Sequence, residues 1–197
     1  MYYTLTSATA PVTYKVKKSK FIALAYPVSE ALEVKPILAA LKKTYPTAGH
    51  FCYAWRLGSD PCSERSSDDG EPRNTAGMPI LGQIRARNLT NVLVIVIRIF
   101  GGVKLGTGGL IQAYKTAAEL ALADATIVQH FEMRRLTLCY QYAQTPQVMR
   151  IIKKWQLQII EQQFKQNCQL KVMVTKEQLG EILVYFENIP HLTVAKD

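Results

Sequence analysis

The clearest pattern along the chain is an unbroken aliphatic run, Val92–Ile97, followed by a dense group of glycines and then by apolar residues at helical spacing. Continuous aliphatic runs are typical of strands buried on both faces. Leu110 and Tyr114 begin a series of apolar positions that recurs at the period of an amphipathic helix. The pattern predicts a buried strand over 92–100, a glycine-rich turn and a long helix over 105–123.

The remaining elements of the first half follow from the same periodicities. Ser29 is expected to cap a helix that Pro36 interrupts. The polar segment 58–75 is rich in Ser, Asp, Gly and Pro and is predicted to contain no core element. The other predicted elements are strands over 12–18, 21–28 and 50–57 and helices over 29–44 and 76–86.

The second half has a different order of elements. It predicts a strand over 133–142, a helix over 145–155, strands over 157–164 and 169–174, a helix over 176–187 and a strand over 192–195. This β-α-β-β-α-β order is that of a ferredoxin-like unit. We therefore predict an α+β protein with two domains, 1–131 and 132–197.

Composition narrows the class of protein. The 197 residues are 48% hydrophobic and 20% charged, which allows a packed core and excludes a disordered chain. The aliphatic run is far shorter than the roughly 20 apolar residues of a membrane helix, and the first residues show no signal-peptide pattern. The four cysteines are scattered, which favours reduced thiols and a cytoplasmic protein.

The charge is distributed unevenly. The formal net charge is +9, and neither residues 1–29 nor residues 73–118 contain a single acidic side chain. Since the second of these stretches contains the glycine-rich turn, the distribution favours a polyanionic partner such as nucleic acid.

The glycine-rich turn is the first candidate site. It matches neither the Walker A spacing nor GxGxxG. Exposed backbone N–H groups at the start of a helix favour an anion, although such a turn also serves tight packing between a strand and a helix. The candidate anion-binding residues are Arg98, Gly101, Gly102, Lys104, Gly106, Thr107, Gly108 and Gly109.

An acidic motif precedes the predicted helix over 76–86. Asp68, Asp69 and Glu71 are candidate Mg²⁺ ligands, alone or with a phosphate, but such side chains also cap helices and bind nearby N–H groups. We expect no resident cofactor, with Mg²⁺ as the alternative. The motif and its surroundings add as candidate partner-binding residues Ser67, Gly70, Arg73, Thr75 and Gly77.

His50 and Cys52 lie two positions apart on a predicted strand. Side chains at this spacing point in parallel some 6–7 Å apart, beyond the reach of a nucleophilic Cys–His pair. A buried histidine bonded to the backbone or to the acidic loop is the more plausible role. No catalytic residue is predicted.

Several of these motifs together resemble the YigZ/IMPACT family over essentially the whole chain. They are SKFIA from Ser19, the H-x-C-x-A pattern from His50, SDDGEP from Ser67, TAG and PIL around Met78, and RIFGGVKLGTGGLIQAY from Arg98. Two departures lie beside the acidic loop: Met78, where members usually carry a basic residue, and 73–74, where small residues are common.

The resemblance carries several implications. The first domain would have the α+β fold of the second domain of ribosomal protein S-five, and the second would resemble the last domain of elongation factor G. Eukaryotic members act in translational control by binding an activator of an initiation-factor kinase, and bacterial members have been suggested to bind nucleic acid. The shared surface would comprise His50, Asp68, Asp69, Gly70, Glu71, Gly77, Arg98, Gly101, Gly102, Gly106, Gly108 and Gly109.

Three functional hypotheses remain open from the sequence. The first is a cytosolic, non-catalytic protein that binds RNA, the ribosome or a translation factor. The second is an enzyme that binds a phosphorylated small molecule or nucleotide at the glycine-rich turn with Mg²⁺. The third is a protein-interaction module that presents the acidic loop to a basic partner.

Overall fold

The computed structural model describes residues 1–58 and 62–196, and within them the chain forms two compact units that divide between His130 and Phe131. Both units combine helices with antiparallel sheets, as an α+β sequence predicts.

The first unit is built on a five-stranded antiparallel sheet. Two further strands, β1 (Tyr2–Leu5) and β7 (Ile127–His130), form a separate antiparallel pair. In spatial order the five strands are β2 (Val12–Val16), β3 (Ser19–Pro27), β6 (Val92–Ile99), β4 (His50–Leu57) and β5 (Ser63–Ser67). Three helices cover this sheet: α1 (Val34–Thr44), α2 (Gly77–Ala86) and α3 (Gly106–Ala123).

The central strand β6 is buried on both faces, as its aliphatic run predicts. Val94 and Val96 face a core shared with α2 and α3, while Ile95 and Ile97 face a second core that includes Val34 of α1. Alternation along one strand therefore separates two hydrophobic layers, one covered by α2 and α3 and the other by α1.

The start of α1 differs from the prediction. Ser29 does not cap it. A short 3-10 turn, Ala31–Glu33, precedes the helix, with Glu30 in the capping position. The Glu33 carboxylate accepts hydrogen bonds from the backbone N–H groups of Ser29 and Glu30 and from the Ser29 hydroxyl, and these bonds lower its pKa. Pro36 consequently falls in the first turn of α1, where a missing N–H costs nothing.

The described part of the segment 58–75 adds no residue to a hydrophobic core, as predicted, but it contains the edge strand β5, which was not predicted. This strand is polar throughout, and it forms because its backbone pairs with β4 from Tyr53↔Ser67 to Leu57↔Ser63. The strands β1 and β7 were also missed. The helices predicted over 76–86 and 105–123 are confirmed to within a residue.

The second unit has the predicted order of elements, strand–helix–strand–strand–helix–strand. Its four strands form one antiparallel sheet, with β8 and β10 in the middle. The core contains side chains from both helices, including Val148 and Phe186. The elements are β8 (Met133–Gln141), α4 (Thr145–Trp155), β9 (Gln158–Gln163), β10 (Asn167–Thr175), α5 (Leu179–Glu187) and β11 (Thr193–Lys196).

Among the described residues, no helix combines the length and the apolar character needed to span a membrane.

Two glycines of α2 allow a matched test of how this helix sits on the sheet. A Cβ atom at Gly77 would lie 2.7 Å from the backbone nitrogen of Ser67, whereas one at Gly82 would meet no atom within 4 Å. We expect Gly77→Ala to lower the free energy of unfolding by about 1–3 kcal/mol through overpacking. Gly82→Ala should leave it unchanged or raise it by up to about 1 kcal/mol, because alanine favours helix.

The measurement is urea unfolding followed by the fluorescence of Trp55, in a Trp155→Phe background so that only the first unit reports. Equal effects of the two substitutions would contradict this packing of α2 on β5.

Candidate functional site

The acidic motif forms a loop that is bound on one side to the start of α2. Both carboxylate oxygens of Asp68 accept backbone hydrogen bonds, from Ala76 at 3.0 Å and Gly77 at 2.8 Å on one oxygen and from Asn74 at 2.8 Å on the other. These donors include the otherwise unpaired N–H groups at the beginning of a helix. Asp68 is therefore a capping residue supplied from outside the helix.

The same loop is bound on its other side to β4. The Asp69 carboxylate accepts the N–H of Phe51 at 2.6 Å, and the Asp69 carbonyl oxygen lies 2.8 Å from His50 Nδ1. Gly70 has a φ of 87°, in the left-handed region that favours glycine, and a side chain there would contact the imidazole of His50 at 3.4 Å. The bond of His50 to this loop was predicted, but the predicted burial is wrong, because the imidazole is 29% exposed.

The third carboxylate of the motif is buried in an ion pair. Glu71 Oε1 lies 2.6 Å from Arg98 Nη1 and accepts the hydroxyl of Tyr114 at 2.8 Å. The side chains of Glu71 and Arg98 are only 4% and 7% exposed. The guanidinium also lies within 5.5 Å of the ring centroids of Phe21 and Phe100. The positive charge of Arg98 is thus balanced inside the protein, and the sequence-based assignment of Arg98 to an external anion does not fit this geometry.

Cys52 completes the buried polar network. Its Sγ lies 3.0 Å from the carbonyl oxygen of Asp68 and 3.3 Å from the hydroxyl of Tyr114. Burial raises the pKa of the Cys52 thiol and that of the Tyr114 phenol far above their ordinary values. Both groups are therefore protonated at neutral pH and hold the loop in place rather than attack a substrate.

The three acidic side chains do not converge on a common point. Asp68 binds the start of α2, Asp69 binds β4, and Glu71 binds Arg98. In the parts of the chain that the structure describes, no group of three or more His, Cys, Asp or Glu side chains is arranged to hold a metal ion. This arrangement fits the capping interpretation of the motif better than the Mg²⁺ interpretation.

The other candidate partner-binding residues lie at different places around the acidic loop. The Thr75 hydroxyl donates to the carbonyl oxygen of Pro72 at 2.6 Å and is buried, and Ser67 Oγ lies 3.4 Å from the N–H of Asp69. Arg73 is exposed. Gly77 begins α2, where its lack of a side chain allows the close approach of β5.

The glycine-rich turn separates into a packed glycine and an exposed segment. The N–H of Gly101 donates to Ser19 Oγ at 3.2 Å, and a side chain at this position would overlap the backbone of Lys18. Gly101 therefore serves packing between β3 and the turn, not anion binding. The exposed segment runs from Gly102 to Gly108.

The exposed segment of the turn retains the features expected of an anion site. Gly102 and Gly106 have φ angles of 84° and 75°, and no side-chain cap is formed by Leu105, which precedes the first turn of α3. Lys104, Thr107 and Gly108 are exposed, whereas Gly109 is half-buried and already faces Leu105. The first turn of α3 is consequently exposed, and a helix dipole favours negative charge at this end.

The close contact at Gly101 also places a lysine-rich hairpin beside this turn. Strands β2 and β3 meet at Lys17 and Lys18, whose φ angles of 44° and 65° form the turn of the hairpin. Lys15, Lys17, Lys18 and Lys20 are all exposed. Lys15 and Lys20 are paired across the hairpin and alternate with Val16 and Phe21, which face α3, so they lie on the opposite face of the sheet. We call Lys17 and Lys18 of the hairpin turn, together with Lys104, the basic surface.

Sequence reasoning missed two parts of the site. It did not assign a role to Tyr114, although a hydroxyl at a core position of a helix signals a buried hydrogen bond. It also left the lysines of the first hairpin out of the candidate list, although they flank the SKFIA motif. Glu71 of the acidic motif contacts Arg98 and Tyr114, which lie on either side of the glycine-rich turn. The sequence alone did not show whether these two motifs meet in space.

The buried ion pair makes a quantitative prediction. Glu71→Gln would leave the buried Arg98 guanidinium without a counter-charge, which typically costs about 3–5 kcal/mol. The matched control is Glu64→Gln, because Glu64 pairs with Arg56 and Arg85 at a partly exposed position where such pairs contribute about 0–1 kcal/mol. The measurement is the free energy of unfolding of both variants in urea.

In a double variant, Glu71→Gln with Arg98→Met, the buried charge is absent and part of the lost stability should return. A double variant less stable than Glu71→Gln alone would contradict the assignment of the cost to an unpaired charge.

Thiol reactivity tests the network independently. Cys139 is exposed, whereas Cys52 is fully buried and its thiol pKa is raised. We expect iodoacetamide at neutral pH to alkylate Cys139 readily in the native protein, and Cys52 only after unfolding. Mass spectrometry of proteolytic peptides distinguishes the two sites, and rapid native alkylation of Cys52 would show that the network is open.

Comparisons with known proteins identify relatives of this chain. The family description "Impact N-terminal domain" matches residues 17–122, which include the turn of the basic hairpin, the acidic loop and the glycine-rich turn. The chain is 31% identical over 176 residues to the IMPACT family member YigZ of Escherichia coli, covering 87% of this chain and 86% of the relative. It is 33% identical over 118 residues to the protein IMPACT homolog of Saccharomyces cerevisiae, covering 57% and 44%.

A solved structure described as a hypothetical protein superposes on the whole chain. Its TM-score is 0.68 at 26% identity, covering 98% of this chain and 95% of the other. Since a family description matches more than half of the sequence and a relative matches most of it, the chain belongs to the IMPACT family.

Proposed function

We propose that the chain is a non-catalytic, cytoplasmic protein that binds nucleic acid or a component of the translation machinery and acts in the regulation of translation. The observation that carries this proposal is the basic surface, three exposed lysines beside the exposed start of α3. Residues 1–29 and 73–118, which supply all of it, contain no acidic side chain to neutralise it.

Two hydrophobic side chains of the turn extend the argument. Phe100 and Val103 are 53% and 42% exposed beside the lysines. An aromatic ring that is exposed among cations is a platform on which an unpaired base can stack. The combination favours RNA with unpaired bases over a purely electrostatic contact with a duplex.

Membership in the IMPACT family supports the link to translation, which the resemblance of the motifs implies for its eukaryotic members. We also propose the finer fold classes on this basis. The first unit would have the fold of the second domain of ribosomal protein S-five. The second unit would be ferredoxin-like, similar to the last domain of elongation factor G, which its strand–helix–strand–strand–helix–strand order favours.

The enzymatic alternative is less well supported. Asp68, Asp69 and Glu71 bind three different parts of the protein, and the pKa values of Cys52 and Tyr114 are raised by burial. These groups are suited to holding the loop and not to transferring a proton or a phosphoryl group. A protein partner that recognises the acidic loop alone is disfavoured for the same reason.

The test is a salt titration of RNA binding with charge-neutralising variants. Lys17→Gln and Lys18→Gln should weaken the binding of a fluorescently labelled stem–loop RNA. Each phosphate contact that is lost should also make the slope of log K against log salt shallower by roughly 0.7–0.9. The matched control is Lys43→Gln, because Lys43 is also exposed but lies at the C-terminal end of α1. Fluorescence anisotropy at several salt concentrations gives both quantities.

Binding that is absent at low salt, or that both hairpin variants leave unchanged, would refute the proposal. A loss of RNA binding that is equal in Lys43→Gln would show that only the net charge matters, which would also refute a site at the hairpin.

A further inference from the structure

We propose a second binding site, for a nucleotide unit with its base and phosphate, in a groove between α1 and the hairpin formed by β4 and β5. The groove encloses about 380 Å³, within the range of roughly 300–1,000 Å³ typical of small-molecule sites. It lies on the face of the sheet opposite α2 and α3, so it is separate from the start of α3. This inference does not depend on the function proposed for the basic surface.

The strand β4 supplies the aromatic floor of the groove. Tyr53 and Trp55 are two positions apart and therefore point to the same face, the one that packs towards α1. Trp55 is 8% exposed and closes the bottom, whereas Tyr53 is half-buried. An aromatic surface that is partly open to solvent can stack on a base, and this contact tolerates any base identity.

The cations of the groove come from two different elements. Arg65 lies directly across the β4–β5 ladder from Trp55, so its side chain is on the same face. Lys35 and Lys42 are seven residues apart on α1, which places them two turns apart along one side of the helix. The cations therefore flank the aromatic floor from both walls.

The lining contains three cations and no acidic residue. In the described parts of the chain these cations form no ion pair within 4.0 Å. Lys42 does lie 5.5 Å from the ring centroid of Phe51, at the end of the groove where an adjoining cavity contains Asp69. Asp69 accepts the N–H of Phe51 there and is not among the residues that line the groove.

The remaining walls are apolar and come from the 3-10 turn and the first half of α1. Val34, Leu38 and the small side chains of Ala31 and Ala39 face the groove. Apolar walls with a few converging polar groups are the usual composition of a ligand site. The aromatic floor and the apolar walls match the base of a nucleotide, and the three cations match its phosphate. An acidic peptide would use the cations but leave the aromatic floor without a matching group.

The experiment uses the full chain with Lys17→Gln and Lys18→Gln, so that the basic surface contributes as little as possible, and with Trp155→Phe, so that Trp55 is the single tryptophan. The probes are AMP, UMP and a fluorescein-labelled single-stranded oligonucleotide of mixed sequence. Trp55 emission reports mononucleotide binding, and anisotropy reports oligonucleotide binding.

We expect saturable quenching of Trp55 by a nucleotide or saturable anisotropy with the oligonucleotide at low salt. With all three cations engaged, the salt slope for the strand should be about −2, and Lys35→Ala with Arg65→Ala should make it shallower by about 1.4. Tyr53→Leu, which keeps an apolar floor but removes the ring, should weaken binding by about fivefold or more. The matched control is Lys43→Ala, which lies on α1 outside the groove.

Each outcome has a defined meaning. Quenching by AMP or UMP alone would identify the ligand as a free nucleotide, and binding of the strand would identify it as single-stranded nucleic acid; both support the site. The proposal would be overturned by absence of both signals at low salt, by groove variants that bind as the parent does, or by poly-glutamate that binds as tightly as the oligonucleotide. Loss of RNA binding in Lys17→Gln and Lys18→Gln alone bears only on the basic surface.

Discussion

The buried ion pair between Arg98 and Glu71 is the constraint on which the arrangement of the first unit depends. A guanidinium that is 7% exposed at the end of the central strand requires a counter-charge, because an unpaired buried charge is far too costly to maintain. Glu71 provides it from a loop 27 positions earlier in the chain, and Tyr114 of α3 donates to the same oxygen. One carboxylate thereby ties the acidic loop, the sheet and the long helix together.

This constraint changes what the acidic motif means for function. A run of three carboxylates in four residues suggests a metal site or a surface for a basic partner, but each of these side chains binds a different part of the fold. Charge reversal at Asp68 would remove the cap of α2, and reversal at Glu71 would place two positive charges together in the core. Such variants would report on folding before they reported on any partner. Recognition is better assigned to the exposed lysines beside the exposed start of α3.

The sequence predicted the elements with strong periodicity and missed those that depend on distant pairing. The aliphatic run of β6 and the spacing around Leu110 placed the strand and α3 correctly, because burial determines both patterns. The strand β5 was missed because its residues are polar on both faces, and only its ladder with β4 makes it a strand. Tertiary pairing of this kind overrides local propensity.

The candidate site likewise combines contacts that the sequence predicted with contacts that only the fold reveals. The association of His50 with the acidic loop was predicted because the strand spacing of His50 and Cys52 argues against a nucleophilic pair and leaves a hydrogen-bonding role. The contact of Gly101 with the Lys18–Ser19 backbone joins residues more than 80 positions apart, and no local pattern contains that information. The basic surface thus became visible only when the fold brought two acid-free segments together.

Because β6 is apolar on both faces, this surface beside α3 and the groove beside α1 are separated by a packed sheet. A ligand in the groove therefore leaves the start of α3 sterically free, and phosphate contacts at the two places should contribute independently to the salt dependence of binding.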